Sequence, residues 1–188
     1  MSSVCIIPAR CGSVRIPMKN IKLFYGKPIL AYSIEAAQKS GIFDRIIVST
    51  DSSMIGTVAE LYGAEVIIRS YDLSKNEVGT QEVMASVLES IDCDYACCLY
   101  PCAPMLSPET IQVAHDLLKI TDNLYIVPVA TWLQDPGQFY FGTREAFIRK
   151  MPLIGPFTTM IQIPKDTECD INTVDDWNKA VEMYKEFI

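Results

Sequence analysis

RIIVSTDSSMIGTVAELYGAEVIIR (residues 45–69) is the stretch whose reading decides the fold. RIIVST (45–50) is apolar and β-branched, so it reads as a buried strand. DSSMIGTVAELYG (51–63) reads as a helix, with Asp51 as its N-cap and Gly63 as its stop. AEVIIR (64–69) is apolar again and reads as a further strand. Strand, helix and strand in so short a length predict a parallel crossover unit.

The same alternation extends outward in both directions. SVCIIP (3–8) predicts a short buried strand and PILAYSIEAAQKS (28–40) a helix, with Pro28 in its first turn and Gly41 after its end. Residues 79–91 predict a helix, DYACCLY (94–100) a strand, SPETIQVAHDLLK (107–119) a helix capped by Ser107, and NLYIVPVA (123–130) a strand. Strands alternating with amphipathic helices predict a parallel sheet covered on both faces. After residue 131 the pattern changes. QFYFG (138–142) and TTMIQIP (158–164) read as strands, TREAFIRK (143–150) as a short helix and TVDDWNKAVEMYKEF (173–187) as a terminal amphipathic helix. No repeat or linker breaks the chain, so residues 1–188 read as one domain.

With 188 residues, 49% of them hydrophobic, the chain can bury a real core. No apolar run approaches the roughly 18 residues of a membrane span, and no signal-like segment opens the sequence. The expectation is a soluble, cytoplasmic protein. A net charge of -7 argues against broad nucleic-acid or membrane-surface binding, though not against a local cationic pocket. The seven cysteines are an odd number and read as reduced thiols. CDYACCLYPC (93–102) invites a zinc reading, but consecutive strand residues face opposite sides, so core cysteine is the better fit.

In a parallel sheet, ligands bind beyond the carboxyl ends of the strands. Residues 9–20 lie beyond the first strand and residues 101–106 beyond the fourth. The first of these loops holds Arg10, Arg15 and Lys19 around Gly12 and Ser13, with Pro17 stiffening it. Small residues let backbone N–H groups approach an anion, and the cations add charge, which suits a triphosphate. The loop matches neither the P-loop nor the GxGxxG pattern. A solvated basic loop is the alternative.

IIPARCGSVRIPMKNIKLFYGKPIL (6–30) resembles the N-terminal signature of the acylneuraminate cytidylyltransferase family. STDSSMIGTVAELYGAEV (49–66), Arg69 with Gly79-Thr80, YPCAP (100–104) and DINTVDDW (170–177) resemble later motifs of the family, in family order. DPGQFYFG (135–142) is similar to the pseudaminic acid branch. The resemblance implies a Rossmann-like nucleotide-diphospho-sugar transferase fold, a GT-A-like three-layer α/β sandwich with a mixed, mainly parallel sheet. It implies transfer of CMP from CTP to the anomeric hydroxyl of a nine-carbon sugar acid of pseudaminic or sialic type, with Mg2+ and release of pyrophosphate.

By position, the resemblance implies that Pro8, Ala9, Arg10, Cys11, Gly12 and Ser13 cradle the nucleotide. Arg10 and Lys19 would hold phosphates, Arg15 would bind the nucleotide by taking over a charge that Val14 lacks, and Asn20 would contact the ribose or base. Arg69 and Thr80 would lie near the cytidine, with Pro101 and Cys102 in the facing loop. Arg10, Lys19 and Asp170 would carry the catalysis. Asp170 and Asn172 would meet the Mg2+ ion, and Gln138 and Tyr140 the sugar acid. Each has a plainer alternative: Thr80 and Asp170 as helix-terminal caps, Gln138 and Tyr140 as strand packing.

The chain departs from the family pattern at four places. Cys11 replaces a glycine, which would strain the loop if that position needs positive φ. Val14 replaces a lysine, and Asn172 replaces the second aspartate of a DxD-like pair. Only TWLQ (131–134) joins segments that the family separates by several tens of residues, a stretch linked to sugar binding and dimerisation. These departures motivate a second reading, a catalytically impaired nucleotide-binding or interaction module on the same fold. A transferase for another sugar or nucleotide is a third. A homodimer is expected from the family but placed in doubt by the short arm, which would also leave Trp132, Phe139 and Phe141 more exposed than usual.

Overall fold

The computed structural model describes residues 1–75 and 77–188, with the side chain of Trp132 outside the described set. The strands are β1 (Ser3–Pro8), β2 (Leu23–Phe24), β3 (Lys27–Pro28), β4 (Arg45–Thr50), β5 (Glu65–Ile68), β6 (Tyr95–Leu99), β7 (Tyr125–Val129), β8 (Phe139–Thr143) and β9 (Thr158–Gln162). The α-helices are α1 (Ile29–Ser40), α2 (Ser53–Leu61), α3 (Thr80–Leu88), α4 (Pro108–Ile120), α5 (Arg144–Ile148) and α6 (Val174–Phe187).

Seven strands form one sheet in the order β5-β4-β1-β6-β8-β7-β9. β1 runs parallel to both β4 and β6, and β4 to β5. β8 lies antiparallel to both of its neighbours, β6 and β7. β7 and β9 pair parallel and run with the main set. The sheet is therefore mixed and mainly parallel, and one reversed strand interrupts the pattern that local periodicity predicts.

Alternation along each central strand feeds two cores. Cys5, Ile7 and Cys97 pack with α1, α2 and α4 on one face. Val4, Ile6 and Cys98 pack with α3 and α5 on the other. Cys97 and Cys98 thus face opposite sides, as consecutive strand residues must. A third cluster joins Phe24, Ile29 and Tyr32 to Trp177 and Ala180 of α6. Phe24 meets the Tyr32, Trp177 and Tyr184 rings edge-on at 5.5–5.6 Å between centroids, which anchors the terminal helix. Among the described residues, no helix is long and apolar enough to cross a membrane.

Three local expectations change. Asp51 does not cap α2; the Ser52 hydroxyl does, accepting from the Ile55 N–H at 3.4 Å, while the Asp51 carboxylate turns to the first loop. Thr80 opens α3 but makes no cap bond, because its hydroxyl pairs with Tyr100 Oη at 2.9 Å. Phe139 and Phe141 are fully buried, because β8 is an interior strand rather than an exposed edge.

The short connection after β7 is a formed turn. The Ala130 N–H donates to the Gln134 carbonyl at 2.8 Å, and the Glu168 carboxylate accepts from both the N–H and the hydroxyl of Thr131. At the other end of this region, Thr173 and Asp176 form a reciprocal capping box at the start of α6. That box fixes the direction in which residues 170–172 enter the helix.

Two substitutions test this architecture by urea denaturation. Gly142 lies opposite Tyr125 in the β7–β8 register, and an added Cβ would press on the Tyr125 ring and sit 2.9 Å from the Leu124 carbonyl oxygen. Gly142→Ala is expected to destabilise by about 1–3 kcal/mol, as overpacking does. Thr173→Ala removes the cap and is expected to cost about 1 kcal/mol. An unchanged midpoint in either variant would contradict the packing described.

Candidate active site

The carboxyl edge of the sheet opens into a cleft of about 620 Å3, within the usual range for small-molecule sites. Three walls build it. The first is the loop after β1, which supplies Pro8, Arg10, Ser13, Val14, Arg15, Lys19 and Asn20. The floor is Tyr100, Pro101 and Cys102, just past β6. The third wall combines Asp135 and Gly137 with Asp170, Ile171 and Asn172. Because β8 runs backwards, its amino end lies at the carboxyl edge of the other strands. The turn at 135–137 is thereby delivered into the cleft.

The first loop is held by its own polar groups. The Cys11 N–H donates to Asp51 Oδ1 at 2.8 Å, and its thiol lies 3.4 Å from Asp51 Oδ2. Asn20 Nδ2 donates to the Arg10 carbonyl at 2.8 Å, and the Cys102 thiol lies 3.4 Å from Asn20 Oδ1. Burial pushes the Cys102 thiol up to about 12, so it acts here as a neutral donor. The left-handed residue of the loop is Met18, with φ 52°. Cys11 is not among the positive-φ residues, so the cysteine in place of glycine brings no backbone strain.

Two cations reach across to the third wall. Lys19 Nζ donates to the Ile171 carbonyl at 2.7 Å, and Arg15 Nη2 donates to Asn172 Oδ1 at 3.1 Å. Asn172 Nδ2 in turn donates to Asp170 Oδ2 at 2.5 Å. Asn172 is therefore a bridge, with its oxygen on a cation and its nitrogen on a carboxylate. Burial raises the Asp170 carboxyl above its ordinary value; Asn172 and Lys19 oppose that shift, and the Asp135 charge adds to it. Gly137 fits against Asp170 so closely that an added Cβ would meet the carboxylate at 3.0 Å, and its φ of +62° also favours glycine.

Under the floor runs a chain of hydroxyls. Thr80 pairs with Tyr100, whose ring meets that of Tyr140 edge-on at 5.9 Å between centroids. Tyr140 Oη donates to Asp135 Oδ2 in a short bond, and Asp135 Oδ1 accepts from the Gly137 N–H at 2.8 Å. Burial raises the Tyr100 hydroxyl to about 12 and raises Tyr140 further, so both stay protonated donors. This chain fixes the Asp135 side chain at the cleft wall.

The cleft brings together most of the predicted residues: Pro8, Arg10, Ser13, Arg15, Lys19, Asn20, Pro101, Cys102, Asp170 and Asn172. Others stand elsewhere. Ala9 is buried in the core, with its N–H on the Ser49 carbonyl. Cys11 and Gly12 are exposed on the loop, and Gly12 has open space where a Cβ would be. Arg69 lines a separate, smaller cavity. Gln138 is 2% exposed, with Nε2 donating to the Thr167 carbonyl at 2.7 Å, so it ties β8 to the segment before α6. Tyr140 lies beneath the wall, behind Asp135. In their place the structure presents Asp135, Gly137 and Tyr100. The Asp-Pro-Gly turn signal before β8 marked the first two, but only the direction of β8 puts that turn at the cleft.

A hard cation fits this donor set. The Asp170 carboxylate lines the cleft with Asp135 on the same wall, and Mg2+ is commonly held by one or two carboxylates together with substrate phosphates and waters. Among the described residues no three His, Cys, Asp or Glu side chains form an all-protein metal cage.

Comparison with known proteins places this geometry. The cytidylyltransferase family profile matches residues 4–140. The pseudaminic acid cytidylyltransferase of Campylobacter jejuni subsp. jejuni serotype O:2 is 33% identical over 225 aligned residues, covering 98% of this chain and 97% of that one. That alignment is longer than the chain's 188 residues, so part of the relative has no counterpart here. A CMP:2-keto-3-deoxy-manno-octonic acid synthetase solved with CTP superposes with a TM-score of 0.79 at 14% identity, covering 100% of both chains. A Mycobacterium tuberculosis protein solved with manganese superposes at 0.70 and 16% identity, covering 97% of this chain and 99% of that one. The two structures share the fold, while the profile and the Campylobacter relative share the sequence over most or nearly all of the chain, which makes this protein a member of the cytidylyltransferase family.

Proposed function

We propose that this cytidylyltransferase transfers CMP from CTP to the anomeric hydroxyl of a nine-carbon 2-keto sugar acid of the pseudaminic or sialic type, releasing pyrophosphate. One observation carries the proposal: Arg10, Arg15 and Lys19 face Asp170 across a single cleft at the carboxyl edge of the sheet. The pseudaminic branch is favoured by the full-length similarity to the Campylobacter enzyme.

The residues divide the work. Arg10 and Lys19 hold the triphosphate and stabilise the charge that grows on the departing pyrophosphate, at fixed positions that need no rearrangement. Lys19 is aimed by its bond to the Ile171 carbonyl. Arg15 supplies charge that Val14 cannot. Its partner Asn172 is uncharged, so the guanidinium keeps its full charge for phosphate. Asn20, whose amide bonds the Arg10 carbonyl and the Cys102 thiol, would fix the loop wall on which the nucleoside rests. Asp170 would hold Mg2+, which when bound supplies Lewis-acid polarisation of the phosphate oxygens. Asp135 faces the remaining space, where the acceptor's hydroxyls would find a hydrogen-bond acceptor, and the Tyr100 ring floors it. Arg69 and Thr80 belong to this reading as residues near the pyrimidine.

Pyrophosphate release with CTP and Mg2+, offered pseudaminic acid and N-acetylneuraminic acid in parallel, tests the proposal. Release is expected only when CTP, the metal and a sugar acid are all present. Lys19→Ala is expected to lower kcat by about 100-fold or more, the scale of losing one preorganised charge contact. A folded protein that binds CTP and releases no pyrophosphate with either acid would overturn the proposal and favour a binding module.

Asn172→Asp tests the bridge. It restores a carboxylate beside Asp170 and pairs Arg15 with a charge. The Mg2+ concentration for half-maximal rate is expected to fall several-fold, while KM for CTP rises because Arg15 is partly neutralised. A variant with both quantities unchanged would remove residue 172 from the metal and phosphate region.

A further inference from the structure

The carboxylates of the cleft differ in what surrounds them. Two of the lining side chains carry one, Asp135 and Asp170, and both stand on the third wall. Asp170 is engaged: the Asn172 amide donates to it at 2.5 Å, and it lies in the field of Lys19. Asp135 is exposed at the cleft and accepts from its own turn and strand, from the Gly137 N–H at 2.8 Å and from the Tyr140 hydroxyl. Neither donor is charged. A carboxylate has about four acceptor sites, so capacity remains for an incoming hydroxyl.

Its orientation is fixed from behind. Tyr140 is buried, and burial keeps its hydroxyl protonated, so that bond runs one way, from tyrosine to carboxylate. The Tyr140 ring is itself braced edge-on by Tyr100, whose hydroxyl pairs with Thr80. Other titratable groups in the floor are poor proton acceptors: burial pushes the Tyr100 hydroxyl and the Cys102 thiol up to about 12, so each already holds its proton. Direction matters as well. In nucleotidyl transfer the attacking oxygen enters roughly in line with the leaving pyrophosphate and opposite to it. With the triphosphate on Arg10, Arg15 and Lys19 of the first loop, that approach comes from the third wall, where Asp135 stands.

We infer that Asp135 is the general base of the transfer and that Tyr140 is the positioning residue that aims it. The inference rests on the CMP-transfer reaction proposed for this cleft. The anomeric hydroxyl oxygen forms a bond to the α-phosphorus, and its proton passes to the Asp135 carboxylate. The bond from the α-phosphorus to the pyrophosphate oxygen breaks, and its electron pair leaves with pyrophosphate. Asp135 then returns the proton to solvent through the open cleft. Asp170 takes no part in the proton transfer, because it is tied to Asn172 and serves the metal.

The experiment measures pyrophosphate release for the parent, Asp135→Asn, Tyr140→Phe and the double variant, with CTP affinity read separately by calorimetry. Asparagine keeps the shape of aspartate and an oxygen for the Gly137 N–H, but it takes no proton. Asp135→Asn is expected to lower kcat by about 100-fold or more, with CTP affinity and the urea midpoint unchanged. Tyr140→Phe should lower kcat by about tenfold or more, since a misaimed reacting group is costly. The double variant should be no slower than Asp135→Asn, because the tyrosine acts only through the carboxylate. In Asp135→Ala, acetate should restore the rate more than formate does, in order of basicity, which a packing role would not produce. A kcat within about threefold of the parent in Asp135→Asn, a loss explained by weaker CTP binding, additive losses in the double variant, or rescue that is absent or indifferent to basicity would each overturn the inference. These results are distinct from failure of the transfer reaction itself, in which the parent releases no pyrophosphate with either sugar acid and the inference falls with it.

Discussion

The reversed strand β8 is the constraint on which the cleft depends. It is wedged between β6 and β7 and pairs antiparallel with both. A parallel strand in that place would put its amino end at the far edge of the sheet. Instead residues 135–137 arrive beside the loops that follow β1 and β6. Gly142 lets β8 pass against the Tyr125 ring, and Phe139 and Phe141 lock it into the core. The place of Asp135 in the wall opposite the cationic loop is a consequence of that one strand direction.

Charge is distributed across the cleft so that each wall holds the other. Lys19 and Arg15 leave the first loop to bond Ile171 and Asn172, and the capping box at Thr173 holds the segment that receives them. Val14 in the loop and Asn172 in the facing wall are both uncharged, and Arg15 stands between them, hydrogen-bonded rather than ion-paired. A neutral partner orients a guanidinium without cancelling its charge.

The short connection after β7 is accommodated without damage to this arrangement. Residues 130–134 close on their own backbone and dock on Glu168, next to the segment that carries Asp170. The same segment takes the Gln138 amide through the Thr167 carbonyl. Residues 130–134 are thereby a tight brace for the third wall, and Asp135, Gly137 and Tyr100 complete that part of the cleft.

The sequence by itself determined the elements, the family and which residues of the first loop line the cleft. Apolar period, caps at Ser107 and Thr173, and the cations around Gly12 and Ser13 are local signals, and local signals survive without knowledge of contacts. Only the tertiary structure decided the direction of β8, the burial of Gln138, the position of Asp135 and the pairing of Asn172. Strand direction is set by partners distant in the chain, and the Arg15–Asn172 bond joins residues 157 positions apart. Asp51 shows the same limit at short range: it has the residue type of a helix cap, yet the loop N–H of Cys11 claims its carboxylate and Ser52 caps the helix. Which of several competent partners a polar group takes depends on what the fold brings within hydrogen-bond reach, and that distance is not written in the order of residues.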